Sequence, residues 1–129
     1  MRYVPTALLV ALIAWVIWQA NTGDRHPWLD AFLRWPAADK LGHFLLYGLL
    51  AACLDAAMRW RSVKLPGGWK LPSAALLVLA FSLVEEASQL FTTTRSPDVV
   101  DVLANLLGVG TFCVLGRWVA RLRGWLNER

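Results

Sequence analysis

A chain of 129 residues fits a single domain. With 57% hydrophobic residues gathered in long blocks, it carries more apolar surface than a soluble core of that size hides. Its net charge of +4 comes from short basic clusters beside those blocks, which fits membrane topology and argues against nucleic acid as a partner.

A bilayer core takes about 20 apolar residues as a helix. The first such run, residues 4–20, has Pro5 in its first turn, where a missing N–H does least harm. Its charged start suits a cleaved signal peptide. The run is longer than a usual signal core, however, and Trp18-Gln19-Ala20 is a poor cleavage site, so it is read as a span. Residues Asn21 to Asp39 make the longest loop, broken by Gly23, Pro27 and Pro36, with room for an interfacial helix around Trp28 to Trp35. The second span covers residues 41–58. A basic loop from Arg59 to Lys70 follows, with a turn signal at Pro66-Gly67-Gly68. The third span covers 71–91 and the fourth 99–119. The expected fold is all-α: one polytopic domain over 1–129, a membrane bundle of about four transmembrane helices.

Lys and Arg set the expected orientation. One side holds Arg2, Arg59, Arg61, Lys64, Lys70, Arg117, Arg121, Arg123 and Arg129. The other holds Arg25, Arg34, Lys40 and Arg95. The richer side is expected to be cytoplasmic, with both termini. Trp15, Trp18, Trp28 and Trp35 then mark the outer interface, and Trp60, Trp69, Trp118 and Trp125 the inner one. Gly48, Ala52 and Ala56 on the second span, and Ala104 and Gly108 on the fourth, form small-residue stripes of the kind that let helices approach closely. Such faces serve contacts within the bundle or between copies, so a homo-oligomer is left open. Cys53 and Cys113 read as small buried hydrophobes.

The ionisable residues carry the functional signal. Asp39, Lys40 and His43 open the second span; Ser82, Glu85, Glu86 and Gln89 close the third; Arg95 and Asp98 lie in the next loop; Asp101 and Asn105 open the fourth. Three segments thus bring polar residues to one depth, expected to be the outer side. Asp39, His43 and Tyr47 share a helix face at four-residue steps, and Asp98, Asp101, Asn105 and Gly108 form another stripe. Any one of these residues has an ordinary explanation as a core histidine, a snorkelling arginine or polar glue. Together at one depth they point to a shared purpose, because each burial is costly. Acids outnumber bases, which calls for a proton or a bound cation. Asp55 is the one acid of the inner half, so the polar residues do not continue across as in a channel or transporter.

Glu86-Ala-Ser-Gln89, then Arg95, then Asp101-Val-Leu-Ala-Asn105-Leu-Leu-Gly108 resembles the VanZ-like membrane protein family. So does Asp39-Lys40-Leu-Gly-His43-Phe, followed by Tyr47. The likeness covers roughly residues 39 to 110. It departs at Thr93-Thr94, where a Pro-Gly pair is common before the arginine. The resemblance implies a compact helical membrane protein. It also brings in resistance to the glycopeptide teicoplanin, with which the family's namesake is linked.

Two functions follow as expectations. The first is binding of a polar headgroup, a lipid-linked envelope precursor or an amphiphilic antibiotic such as a glycopeptide. Lys40, Tyr47, Glu85, Gln89, Arg95, Asp98 and Asn105 would be the binding residues, with Arg95 taking a phosphate or carboxylate. The second is an intramembrane enzyme acting on such a lipid. His43 would then be general acid or base oriented by Asp39, and Glu86 with Asp101 a second acid–base pair or a divalent metal site. No recognised metal motif is present and no activated nucleophile stands out, so whether a cofactor is used is left open. A third reading makes the cluster a tie between helices. The expected location is the bacterial inner membrane, with the polar site on its extracytoplasmic side and membrane lipid as its surroundings.

Overall fold

The structure, a computed structural model, describes residues 1–126. Among the described residues four helical segments are long and apolar enough to cross a membrane: α1 (Val4–Thr22), α3 (Ala38–Ala57), α4 (Ser73–Ser88) with the turn that carries it to Phe91, and α5 (Val99–Leu122). The expected spans are therefore all present, with ends shifted by a few residues. α3 begins earlier than hydrophobicity alone suggests, because Asp39 is favourable in a helix's first turn. α4 tightens after Ser88 into a single 3-10 turn, Gln89–Phe91. A short helix α2 (Pro27–Leu33) lies in the long loop as expected and stacks Trp28 on Trp15 of α1, with ring centroids 5.6 Å apart. One element departs from the all-α expectation. The basic loop forms a hairpin, β1 (Ser62–Lys64) antiparallel to β2 (Lys70–Pro72), turning through Gly67 and Gly68 at positive φ.

α3 is the central helix. Its most extensive interface is with α5, and α1 and α4 pack on its other sides. Ile13, Tyr47, Leu50, Ala51, Val78, Val109 and Cys113 form the core. Leu77, Val84, Leu107 and Val114 point outward, where a bilayer rather than water covers them. The α3–α5 crossing depends on two glycines. A Cβ on Gly108 would stand 2.1 Å from the Phe44 carbonyl oxygen, and one on Gly48 would stand 2.9 Å from the Gly108 oxygen. Lower down, Ala52 faces Gly116. The expected stripe ends there, since Ala56 is exposed.

At the hairpin end, α3 stops with Arg59 and Trp60 both at positive φ, a conformation that costs roughly 1–2 kcal/mol per residue. The turn carries the chain back so that the Arg61 carbonyl and the Ser62 hydroxyl meet Arg117. Arg117 also grips Asp55 with two nitrogens, at 2.7 and 2.9 Å. Read from sequence, Arg117 belongs to a basic tail and Asp55 is isolated. In the fold they are one pair, with Asp55 fully buried and Arg117 partly so, joining α3 to α5.

Candidate functional site

The far end of the bundle gathers every polar residue expected there, in two linked networks. The first lies between the starts of α3 and α5. Lys40 donates to Asp98 at 2.5 Å and to Asp101 on the first turn of α5, and its ammonium is 3.6 Å from Asp39. One turn along α3, His43 Nδ1 lies 3.0 Å from Asn105 Oδ1. The other ring nitrogen, Nε2, faces Asp101 Oδ2 at 3.6 Å and Asp39 Oδ1 at 3.9 Å. The four-residue spacing expected to align Asp39, His43 and Tyr47 does so, and the His43 and Tyr47 rings stack 5.8 Å apart.

The second network is built on α4. Glu85 receives the Tyr47 hydroxyl at 3.3 Å, the Gln89 amide at 3.1 Å and Arg95 at 3.2 Å. Glu86 receives the Asp98 backbone N–H at 2.5 Å and the Gln89 amide at 3.2 Å. Adjacent helical residues such as these point about 100° apart. Both are buried, because α4 lies between two partners: Glu85 meets α3 and Glu86 meets the start of α5. Ser82, on the same stripe, is also buried and bonds the Leu79 carbonyl of its own helix.

Asp98 is the N-cap of α5 and accepts the Val100 N–H at 2.8 Å. The Lys40 ammonium first, and that N–H second, hold its carboxyl below the usual carboxylate range. A carboxyl depressed in the folded state adds stability above its unfolded value, and that stability is lost as pH falls through the folded one. The stability of detergent-solubilised protein is therefore expected to drop below about pH 4, the range of an unperturbed aspartate. Asp98→Asn keeps a capping oxygen and should flatten that drop in thermal-unfolding curves. Parallel curves for wild type and variant would refute the role of Asp98.

A partly open cavity of about 290 Å³ lies between α1, α2 and α3. Leu12, Ile13, Val16, Leu29, Phe32 and Leu46 supply its apolar wall. Asp39, His43, Tyr47, Glu85 and Arg95 line it as well, and so does Arg25. Lys40, Glu86, Gln89, Asp98, Asp101 and Asn105 do not line it. Arg25 is a cavity-lining residue that sequence reasoning passed over; it counted only toward topology, although it lies in the loop beside the polar end.

The chain thus combines four spans, a central α3–α5 crossing and paired polar networks at one end. No curated protein and no solved structure matches it. The model of one family, VanZ/LLP1, matches residues 2–120, which takes in three spans whole, nearly all of the fourth, and both networks. On that match over nearly its whole length, the chain belongs to the VanZ/LLP1 family.

Proposed function

We propose that this membrane protein binds the charged headgroup of an amphiphile, with a lipid-linked envelope precursor as the ligand class. The observation that supports this reading is the cavity, whose volume of about 290 Å³ sits near the lower end of ligand pockets. An apolar wall receives a lipid chain, and a wall bearing Arg25, Arg95, Asp39 and His43 receives the headgroup. A polyprenyl phosphate has both parts. Among the described residues Arg95 gives one hydrogen bond, from Nη1 to Glu85, and its side chain lines the cavity, where a guanidinium suits a phosphate.

Orientation belongs to the proposal. The basic hairpin loop is placed in the cytoplasm and the cavity at the extracytoplasmic side of a bacterial inner membrane. A role in glycopeptide resistance would follow from engagement of envelope precursors there, and drug susceptibility with and without expression tests it.

Binding of a polyprenyl phosphate to the purified protein in detergent is expected to saturate. Arg25→Ala and Arg95→Ala should each weaken it about tenfold or more, as the loss of a hydrogen bond to a charged group worth about 1.5–3 kcal/mol implies. Equal binding of the matching uncharged polyprenol, or no effect of either change, would sink the reading. A second reading, an intramembrane enzyme with His43 as acid or base, draws support from the exposure of His43 to the cavity. Turnover of the lipid by wild type and not by His43→Ala would establish it.

A further inference from the structure

We infer that Asp39, His43 and Asp101 hold one divalent transition-metal ion at the polar end of the cavity. His43 is the key group. Its side chain is only 9% exposed, and its Nε2 points at two carboxylate oxygens at 3.6 and 3.9 Å. Those separations exceed the 2.7–3.2 Å typical of N–H to oxygen bonds, so neither carboxylate is hydrogen-bonded to Nε2. A tetrahedral ion with bonds near 2.1 Å spaces its ligands roughly 3.4 Å apart. The two His43–carboxylate separations are already close to that spacing, and the half-exposed Asp39 side chain can swing in to close the remainder, the three donor atoms lying within 4.8 Å of one another.

The surroundings fit the same role. His43 Nδ1 is held by Asn105 Oδ1 at 3.0 Å. A ring N–H given to a carbonyl is the usual way a ligating histidine has its other nitrogen turned to a metal. Lys40 engages the opposite oxygens, Asp101 Oδ1 and Asp39 Oδ2, which leaves Asp101 Oδ2 and Asp39 Oδ1 directed at the ring. Three carboxyl groups, Asp39, Asp98 and Asp101, face the single ammonium of Lys40, so a cation among them meets complementary chemistry. One nitrogen with two oxygens suits Zn²⁺ or Mn²⁺ better than Ca²⁺. Asp39 is half exposed and lines the cavity with His43, so the ion would keep an open coordination position toward it. An anionic headgroup entering there would complete the shell; that last step rests on the proposed lipid binding, whereas the ion site does not.

Full-length protein, purified in detergent and stripped with a chelator, is titrated with Mn²⁺ while the free-ion magnetic-resonance signal is followed. The expected result is one bound equivalent, displaced by Zn²⁺. His43→Ala and Asp101→Asn should weaken binding at least about tenfold, and Asn105→Leu about 10–100-fold, as loss of an outer-shell partner does. Asp39→Asn changes a half-exposed side chain, so it reports on the site even if the buried variants fold poorly, and it should weaken binding by a similar factor. Asp24→Asn, away from the cluster, should bind as wild type. No saturable binding of either ion, or Asp39→Asn binding as well as wild type, overturns the inference. A separate measurement of polyprenyl phosphate binding with and without Mn²⁺ keeps the two ideas apart. Mn²⁺ bound without lipid affinity defeats the headgroup reading alone, and lipid bound equally in a protein that takes up no ion defeats the metal alone.

Discussion

Arg117→Met is expected to destabilise the protein by about 3–5 kcal/mol, the usual result of removing one partner from a buried ion pair. Asp55 is fully buried and takes both its charge-assisted bonds from Arg117, at 2.7 and 2.9 Å. Without the guanidinium, a carboxylate is left in the bundle with nothing to replace its lost water. The damage extends to the hairpin, because the same guanidinium bonds Ser62 Oγ at 2.8 Å and the Arg61 carbonyl at 3.0 Å. Those bonds anchor the turn after the strained Arg59-Trp60 pair. Thermal unfolding followed by helical dichroism in detergent measures the loss. Adding Asp55→Asn to Arg117→Met removes the stranded charge and should recover more than half of it. Such strong non-additivity is what residues in direct contact give. A single variant within about 1 kcal/mol of wild type, in the range of a surface pair, would show that the pair does not hold the bundle together.

This pair also shows where sequence reasoning stops. The four spans were legible because hydrophobic length is a one-dimensional property. The polar networks were legible because helical steps of three and four residues place Asp39, His43 and Tyr47, or Asp101, Asn105 and Gly108, on common faces. Asp55 and Arg117 lie 62 positions apart, and no local period links them. A signal did exist: one acid and one base inside two spans of the same half, where intramembrane charges pair. It was hidden because Arg117 was counted with the basic tail as a topology marker. The hairpin strands are three residues each, too short for a period of two to register. The cavity was beyond reach for another reason. Its walls come from α1, α2 and α3, and no pattern in the loop states how α2 lies against α1. Arg25 became a cavity-lining residue only through that shape.

Gly108→Ala should open the α3–α5 crossing and weaken the site with it. The new methyl would lie 2.1 Å from the Phe44 carbonyl oxygen, 2.9 Å from its carbon and 3.0 Å from the Phe44 Cα. All three are backbone atoms of a helix, so no rotamer change relieves the contact and the helices must separate. Overpacking of this kind costs about 1–3 kcal/mol. Phe44 is next to His43, and Asn105 lies one turn before Gly108. Separation therefore pulls on the 3.0 Å contact between His43 and Asn105 and on the Asp101 side of the polar cluster. Gly110→Ala is the matched control. It lies on the same helix with open space around it, and alanine should be neutral or gain up to about 1 kcal/mol there. Unfolding curves for the two variants are expected to shift apart, with Mn²⁺ binding reduced in Gly108→Ala alone. Coincident curves would mean that the close approach of α3 and α5 does not set the geometry of the site.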